Sequence, residues 1–353
     1  LRERSAMTHI WIRAEQRPNE QRVGVTPSGV ESLLNLGFKV TIERDRTRAI
    51  DIEACSGTQI ASAGDWQTAP TEAIILGLKE LPDDDMALRH RHIMFGHAFK
   101  GQPDGQRLLT RFKSGGGALY DLEYLTDDTG YRVAAFGYWA GFSGAAVAIK
   151  SWAAAKSGAL SGHVYAFASA ADLEAHVAAD LGQARPKVII IGANGRVGNG
   201  AIDFCTALGT SLTCWDMKET AHGGPYPEIL AHDIFLNCIL ANQGTPVFVP
   251  ASAKTAARQL TVIGDIACDP DSIYSPIKVY ESTTTWQQPA LRVHNTPILD
   301  VTAIDNLPSI LPCDSSKDFA AQLLPSLLSL QDIESGVWGK ARSIFDQHIA
   351  ALN

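Results

Sequence analysis

A single loop restricts the fold of this chain more than any other feature of the sequence. Residues 188–191 are all β-branched, which is typical of a strand buried in a parallel sheet. The sequence GANGRVG (192–198) follows, and a helical pattern begins inside it. Its glycines, Gly192, Gly195 and Gly198, permit a tight turn and let backbone N–H groups at the helix N-terminus approach a phosphate. The segment therefore predicts the phosphate-binding turn of a dinucleotide-binding βαβ unit.

An acidic residue after the next strand refines this prediction. The run 211–215 predicts that strand, and Asp216 follows it directly. A carboxylate at this place accepts hydrogen bonds from ribose hydroxyls and repels a 2′-phosphate, which favours NAD over NADP. Arg196, inside the loop, is able to pair with a phosphate, although a solvated arginine is an equal alternative. The competing interpretation is a glycine-rich turn beside a strand-terminal aspartate, with no ligand.

The N-terminal part of the chain has its own alternation of strand and helix patterns. A helix is predicted over 28–36, capped by Ser28. Strands are predicted at 9–13, 39–43, 72–78, 92–95 and 118–120. Such alternation predicts a parallel sheet, in which ligands lie at the carboxyl ends of the strands. Residues with reactive side chains fall at or just after such ends, namely Lys79, His97 and Glu123.

The remaining patterns divide the chain into domains. Further strands are predicted over 233–240 and 260–266, and the uncharged run 133–149 predicts a helix buried between the domains. We place the domain joint inside this helix, near Phe136. We predict an α/β protein with two Rossmann-like doubly wound domains and an active-site cleft between them. The substrate and catalytic domain is predicted to comprise 1–136 plus 316–353, and the NAD-binding domain 137–315.

Length and composition agree with this architecture and exclude other classes. The 353 residues correspond to about two domains. Hydrophobic residues make up 45% and charged residues 19%, which excludes a disordered chain. The net charge of −8 argues against nucleic acid or a membrane as partner. No apolar segment follows the charged start of the chain, so we expect a cytoplasmic protein whose cysteines are reduced thiols in the core.

Lys79 and His97 are the candidates for proton transfer. Hydride removal from an amine or alcohol needs a proton acceptor beside the reacting carbon, and a lysine at a buried strand end can serve as that base. The alternative for Lys79 is a surface lysine paired with Glu80, and the alternative for His97 is a core histidine. His90 and His92 complete an H-x-H-x4-H pattern with His97, but the chemistry needs no metal and we expect none.

Arginines are concentrated after the first strand. The segment 13–22 carries Arg13, Arg17 and Arg22, and Arg132 precedes the buried helix. Arginines near strand ends suit bidentate binding of carboxylates. For any single arginine, however, a solvated surface charge is the better interpretation, so this segment indicates an anionic substrate only in combination with the candidates above.

Long, ordered stretches along nearly the whole chain resemble a known family. The chain is similar to saccharopine dehydrogenases of the NAD-dependent, lysine-forming type, and more distantly to alanine dehydrogenases. The stretches that carry the resemblance are RAEQRPNEQRVGVTP (13–27), AIILGLKELP (73–82), GGGALYDLEYL (115–125), RVAAFGYWAGFSGAA (132–146), IIGANGRVGNGAID (190–203), WDMKETAHGGPYPEI (215–229), IDNLPSILP (304–312) and VWGKARSIFDQH (337–348).

The resemblance implies roles for individual residues. Lys79 is the base that takes the proton of the secondary amine, and His97 is the acid–base for imine hydration and carbinolamine collapse. Glu80 and Glu123 adjust the charges of these two. The substrate is held by Arg22, Gln102, Arg132, Phe136 and Ile266. The cofactor NAD contacts Gly192, Gly195, Arg196, Gly198, Asp216, Thr220, Leu240, Ile304, Asp305, Asn306 and Leu307.

The implied reaction is the reversible, NAD-dependent oxidative deamination of saccharopine to lysine and 2-oxoglutarate, the last step of the α-aminoadipate route. We expect a monomer that acts on small molecules only. Val197 and Tyr131 depart from fungal members, where a cysteine and an arginine can stand, and this loosens the expected affinity for the cofactor. The alternatives are a related opine-type dehydrogenase that joins 2-oxoglutarate to another amine, and an inactive NAD-binding protein.

Overall fold

The computed structural model describes residues 7–17 and 19–352. The charged start of the chain, on which the expectation of a cytoplasmic protein partly depends, lies outside these residues. The chain divides into two compact units, the first comprising Leu1–Ala135 with Cys313–Asn353 and the second Phe136–Pro312. The sequence analysis placed the joints after residues 136 and 315. Each unit is described by itself below.

The first unit contains a sheet whose strand pairs are all parallel. The strand order is β3-β2-β1-β4-β5-β6. This is the order of a doubly wound sheet, whose ligands lie at the carboxyl ends of the strands. The strands are β1 (His9–Ile12), β2 (Lys39–Glu43), β3 (Gln59–Ala61), β4 (Ile74–Leu76), β5 (Arg91–Met94) and β6 (Ala118–Asp121), and the helices within this stretch are α1 (Pro27–Asn35), α2 (Pro103–Gly115) and a short 3-10 helix (Asp65–Thr68).

Helix α1 begins earlier than the sequence analysis predicted. Its N-cap is Thr26, whose hydroxyl accepts a hydrogen bond from Gly29 N–H at 3.3 Å. Pro27 is the first helical residue, because proline has the backbone angle of this position and lacks the N–H that would remain unpaired. The prediction that Ser28 caps the helix is therefore wrong, since Ser28 lies inside the first turn.

The second unit repeats the architecture with one antiparallel edge. The strand order is β11-β12-β10-β9-β7-β8, and only β11 and β12 run antiparallel. The predicted class of two Rossmann-like doubly wound domains is thereby confirmed. In chain order the unit contains α3 (Gly137–Ala155), α4 (Ala170–Leu181), β7 (Lys187–Ile191), α5 (Arg196–Ala207), β8 (Ser211–Trp215), α6 (Met217–Thr220), α7 (Pro227–Leu230), β9 (Ile234–Asn237), a 3-10 helix (Ala251–Lys254), β10 (Val262–Asp265), β11 (Leu291–Asn295), β12 (Ile298–Thr302) and a 3-10 helix (Leu307–Ile310).

Helices α3 and α5 pack with their backbones in contact. A Cβ atom added at Gly141 of α3 would lie 1.8 Å from the carbonyl oxygen of Val197, and one added at Gly200 of α5 would lie 1.8 Å from that of Tyr138. The predicted buried helix is therefore present, and it belongs to the core of the second unit. Its glycines are required because no side chain fits between the two helices.

The end of the chain returns to the first unit as α8 (Pro312–Leu328) and α9 (Gly336–Ala350), joined through a 3-10 helix (Leu330–Asp332). Trp338 of α9 packs edge-on against Tyr120 of β6, with ring centroids 6.1 Å apart. Phe345 makes a similar contact with Phe112 of α2. These aromatic contacts cover one face of the sheet at β6.

Two further findings bear on the sequence analysis. All six cysteines are free. The prediction of core thiols is right for Cys205 and Cys238, which are buried, and wrong for Cys214, which is exposed; the other three are half-buried. Over the described residues, no helix is both long and apolar enough to cross a membrane.

Candidate active site and nucleotide loop

Three loops meet at the carboxyl edge of the first sheet. They follow the neighbouring strands β4, β5 and β6, and they carry Lys79, His97 and Glu123 respectively. The backbone pairing continues past the strand ends, since Phe95 N–H donates to Leu78 O at 3.0 Å and Leu122 N–H donates to Met94 O at 3.0 Å. The structure thus brings the three predicted residues to one edge.

Glu123 is surrounded by cationic or protonatable side chains. Its Oε2 lies 3.5 Å from His97 Nδ1, and its Oε1 accepts a hydrogen bond from Lys100 Nζ at 3.1 Å. Arg132 Nη2 lies 3.7 Å from Oε1. The neighbouring His97, assisted by Lys100 and Arg132, lowers the pKa of Glu123 to about 2 despite partial burial. Glu123 is therefore a carboxylate at any pH near neutrality.

His97 is presented to solvent by a strained backbone. Its φ angle of 48° lies in the left-handed region, which costs free energy for a residue with a side chain. The side chain is 60% exposed, and its ring stacks on Phe95. His97 is thus not a core histidine. His92, by contrast, is fully buried among Trp66 and Phe112.

Asp121, at the end of β6, connects the loops of His97 and Glu123. One carboxylate oxygen accepts from Gly96 N–H at 3.2 Å, and the other accepts from Glu123 N–H at 2.9 Å. The residue is 0% exposed. Burial, together with the charge of Glu123, raises the pKa of Asp121 to about 6 against the opposing effect of these hydrogen bonds and of His97.

Lys79 lies near two carboxylates. Burial would raise the pKa of Glu80, but hydrogen bonds from Arg17 and from backbone, with the charges of Arg17 and Lys79, lower it. The ion pair of Glu80 is made with Arg17. Burial would likewise raise the pKa of Glu20, but the bonds and charge of Arg22 and the charge of Lys79 lower it. The ammonium group of Lys79 is thus electrostatically coupled to Glu20 as well as to Glu80.

Arg22 is buried in a bidentate pair with Glu20. Its Nε and Nη2 donate to the two carboxylate oxygens at 2.8 and 2.7 Å. The side chains are 2% and 0% exposed. Sequence reasoning named Arg22 as a substrate ligand without recognising this partner, because the spacing Glu-x-Arg by itself does not distinguish an internal pair from two solvated charges.

Gln102 precedes α2 and is exposed. Together with His97 and Glu80, it lines a cleft of about 630 Å³ in the first unit. Arg17, Arg107 and Arg111 line the same cleft, and Arg107 and Arg111 pair with the carboxylates of Asp83, Asp84 and Asp85. A cleft of this size and charge is able to hold a small polar metabolite.

In the second unit, the three glycines of the predicted loop differ in what the structure requires of them. Gly192 has a φ of 93°, and a Cβ atom at Gly198 would lie 2.1 Å from Gly192 O, so the turn itself requires both. A Cβ atom at Gly195 would meet only Gly192 O, at 3.7 Å. Nothing in the described protein fills the space beside Gly195, at the N-cap of α5, which fits the close approach of a pyrophosphate.

Asp216 directly follows β8, next to this loop. Its Oδ2 accepts from Asn194 N–H at 2.9 Å, and its Oδ1 accepts from Met217 N–H at 2.9 Å. Its backbone N–H donates to Glu219, which completes a capping box for α6. The carboxylate therefore also organises the loop and the helix, in addition to the ribose contact predicted for it.

The other predicted cofactor and substrate contacts differ in exposure. Leu240 is 73% exposed, and Asp305 is also exposed. Arg196 is the first residue of α5, and Thr220 bonds the Asp216 carbonyl. Asn306 has a φ of 66° at the start of a 3-10 helix, and Phe136 is the N-cap of α3. Side chains that lie buried in the core of the unit are those of Ile266, Ile304 and Leu307.

A buried polar network at the ends of β9 and β10 was not predicted. Asp265 accepts from Asn237 Nδ2 at 2.9 Å and from the Tyr280 hydroxyl at 2.6 Å. The signal available in the sequence was a polar residue ending each apolar strand, which also applies to Asp121. Within the described ranges, no group of three or more histidine, cysteine or acidic residues is arranged to hold a metal ion.

The sequence of this chain is similar to those of known proteins. The pattern of the family described as "Alanine dehydrogenase/PNT, N-terminal domain" matches residues 11–143. A saccharopine dehydrogenase (NAD(+), L-lysine-forming) of Emericella nidulans is 42% identical, over 97% of this chain and 98% of its own length. The protein of the same name from Yarrowia lipolytica is 39% identical, over 99% of each chain.

Solved structures agree on the fold. An L-alanine dehydrogenase superposes with a TM-score of 0.65 and 17% identity, covering 96% of this chain and 94% of its own. The transhydrogenase from Sinorhizobium meliloti superposes with a TM-score of 0.61 and 18% identity, covering 92% and 95%. At this level of identity, the similarity establishes the arrangement of the elements and not the reaction.

Proposed function

The chain belongs to the family of NAD(+)-dependent, L-lysine-forming saccharopine dehydrogenases, and we propose that it catalyses the reversible oxidative deamination of L-saccharopine to L-lysine and 2-oxoglutarate. In the forward direction, saccharopine, NAD⁺ and water give lysine, 2-oxoglutarate, NADH and a proton. The observation that carries the proposal is the meeting of the Lys79 loop with the His97–Glu123 pair at one sheet edge. The reaction needs a base and a separate acid–base group.

Lys79 is proposed as the base. When bound, the nicotinamide supplies the acceptor for the hydride of the glutaryl α-carbon. Neutral Lys79 takes the proton of the secondary amine, so that the nitrogen lone pair is available as the C=N bond forms. Glu20 and Glu80, whose pKa values are lowered partly by Lys79, would then stabilise the ammonium group that results.

His97 is proposed as the acid–base for the hydrolytic half of the reaction. Its exposed ring is accessible to the water that attacks the imine carbon. The ring would take a proton from that water and return it to the leaving nitrogen as the carbinolamine breaks down. Glu123, a permanent carboxylate beside Nδ1, would hold the ring and stabilise its protonated form. Substrate carboxylates are assigned to Arg22 and Arg132, with Gln102, Phe136 and Ile266 as further contacts.

The cofactor is proposed to be NAD, bound by the second unit. The space beside Gly195, the N-terminus of α5 with Arg196, and the carboxylate of Asp216 support this proposal. Gly192 and Gly198 form the turn, while Thr220, Leu240 and the run 304–307 complete the proposed contacts. We further propose that the protein acts as a cytoplasmic monomer on small-molecule substrates alone.

Turnover with defined substrates tests the proposal. Purified protein should form NADH from saccharopine and NAD⁺, and in reverse should consume NADH with 2-oxoglutarate and lysine but not with other amines. Lys79→Met and His97→Gln should each lower kcat by about 10²–10⁴-fold if they are true acid–base groups. NADH affinity, measured by fluorescence, should stay unchanged in both. Turnover with another amine and not lysine, or near wild-type kcat in both variants, would contradict the proposal.

A further inference from the structure

The carboxylate of Glu15 accepts hydrogen bonds from the backbone at and before Lys79. Its Oε1 accepts a hydrogen bond from Leu78 N–H at 2.6 Å, and its Oε2 accepts one from Lys79 N–H at 3.0 Å. Both oxygens of one side chain are thus bound to consecutive peptide groups. Leu78 is also bonded to the continuation of β5, because its carbonyl oxygen accepts a hydrogen bond from Phe95 N–H at 3.0 Å.

Arg13 binds the same residue, Lys79, at its carbonyl group. Its Nη2 donates to the carbonyl oxygen of Lys79, and its Nη1 lies 3.3 Å from Glu15 Oε2. The side chains of Arg13 and Glu15 are 2% and 7% exposed. Hydrogen bonds to charged groups in such a buried setting are stronger than those between neutral groups.

Gly77 provides the room for this arginine. A Cβ atom at Gly77 would lie 2.3 Å from Arg13 Nε and 2.5 Å from its Cζ. The guanidinium group therefore lies directly on the backbone between β4 and Lys79. Any side chain at position 77 would force the arginine away from the Lys79 carbonyl.

The segment that carries Arg13 and Glu15 is itself anchored. Arg48 Nη2 donates to Arg13 O at 3.3 Å, Ala14 N–H donates to Glu43 Oε2 at 2.9 Å, and Arg13 N–H donates to Leu76 O at 3.0 Å. The segment continues β1, the direct neighbour of β4. The side chains that bond the Lys79 backbone thus belong to a segment that continues the central strand of the sheet.

We infer that Arg13 and Glu15 are positioning residues that fix the backbone of Lys79 so that its amine meets the substrate nitrogen; this inference rests on the function proposed above. The arginine-rich segment was interpreted from sequence as a binder of substrate carboxylates. For Arg13, the guanidinium is instead engaged with the chain it supports. A shift of about 1 Å in a reacting group can cost about 10²-fold in rate.

Glu15→Gln tests the inference with little change of shape. The amide offers one oxygen, so it can accept from only one of the two N–H groups, and its NH₂ faces the other. We expect kcat to fall by about 10–100-fold, with NADH affinity and the KM for saccharopine changed much less. In a Lys79→Met background, the same substitution should have almost no further effect, because there is no base left to misplace.

Two variants complete the experiment. Gly77→Ala should also lower kcat and should also lose its effect in the Lys79→Met background, which keeps the inference testable where Glu15→Gln does not fold. Asp300→Asn is the matched control, because Asp300 is a buried carboxylate with a bidentate Arg292 partner at 2.9 and 3.0 Å in the second unit. It should lower the melting temperature and leave kcat unchanged well below that temperature.

The outcomes separate the inference from the proposed function. Wild-type kcat in folded Glu15→Gln, or losses that multiply with those of Lys79→Met, would overturn the positioning role while leaving Lys79 as the base. Wild-type turnover in Lys79→Met would overturn the base itself, and the positioning role with it. A slow Glu15→Gln whose effect vanishes in the Lys79→Met background supports both.

Discussion

Asp121 and Glu123 lie two positions apart, yet their carboxyl groups have opposite properties. Burial raises the pKa of Asp121 to about 6, whereas His97 and neighbouring cations lower that of Glu123 to about 2. The two side chains differ because β6 ends at Asp121, inside the sheet, whereas Glu123 lies in the turn that follows, which is closed by the hydrogen bond from Tyr124 N–H to Asp121 O at 3.0 Å. At the residue scale, environment and not residue type decides the charge.

This difference gives Asp121 a pH signature. Between its ordinary pKa of 3.8 and about 6, the unfolded chain has lost the proton that the native chain keeps, so this group makes the protein less stable as pH rises through that window. Asp121→Asn should abolish that contribution, worth about 3 kcal/mol. Melting temperatures of both proteins from pH 4 to pH 7 check this prediction. The melting temperature of the variant should rise relative to that of the wild type as the pH rises. Parallel curves would contradict the raised pKa.

Asp216 should determine the preference for NAD. Asp216→Asn keeps an acceptor for the cap of α6 but removes the charge that favours ribose hydroxyls and repels a 2′-phosphate. Loss of a hydrogen bond to a charged group corresponds to about 10–100-fold in affinity, so NAD binding should weaken by that factor while NADP binding improves. Fluorescence titration with NADH and NADPH measures both.

The control for this variant is Glu219→Gln, the other half of the capping box. It should disturb α6 and leave the NAD/NADP preference intact. An unchanged preference in Asp216→Asn, or an equal change in Glu219→Gln, would show that Asp216 acts only through the helix cap.

At the scale of elements, the crossing of α3 and α5 connects the core of the second unit to the glycine loop (192–198). Gly141→Ala should force the helices apart, since its methyl group would lie 1.8 Å from Val197 O. Overpacking of this kind costs about 1–3 kcal/mol or more. Because α5 begins in the glycine loop, NADH affinity should fall with the melting temperature.

Gly162→Ala is the matched control, because a Cβ atom there meets nothing within 4 Å. It should be neutral or slightly stabilising, since alanine restricts the unfolded chain more than glycine does. A Gly141→Ala protein as stable as Gly162→Ala would show that the helices can separate at no cost.

Element boundaries were harder to predict than element types. The predicted strands at 72–78, 233–240 and 260–266 are longer than β4, β9 and β10. Apolar sequence reports burial, and the chain stays buried beyond the last residue that pairs in the ladder, as Leu78 does at 2% exposure. Sequence periodicity also missed β3 and β11, whose residues are largely exposed or half-buried at the sheet edges, and β12, which is largely buried.

At the scale of the whole molecule, the chain leaves the first unit, builds the second and returns to complete the first. Trp338→Ala should remove a side chain that is 1% exposed and packs on Tyr120. Such truncation costs about 3–5 kcal/mol. Thermal unfolding, measured in the presence and absence of NADH, checks the loss of stability. NADH affinity, measured well below the melting temperature, checks the second unit.

The expected result is a large loss of stability and of turnover at elevated temperature, with NADH affinity unchanged, because Trp338 belongs to the first unit and the proposed cofactor contacts belong to the second. Equal loss of NADH affinity at low temperature would show that the second unit depends on α9 for its own structure.

The sequence by itself determined the α/β class, the glycine turn at 192–198 followed by Asp216 after the next strand, and the family. These depend on local properties: the period of apolar residues, the small residues that a tight turn demands, and long ordered motifs. It also named Lys79, His97 and Glu123 as strand-end residues. Their roles in the reaction stay predictions until the variants are measured.

Only the tertiary structure decided which of these groups are partners. Glu15 is bonded to a residue 64 positions away, and Asp121 bonds the N–H of Gly96, 25 positions earlier. Contacts over such distances depend on strand order, which no local pattern encodes. Burial, and with it the raised pKa of Asp121 and the internal pairing of Arg22, follows from the same assembly, because the cost of a charge depends on what surrounds it.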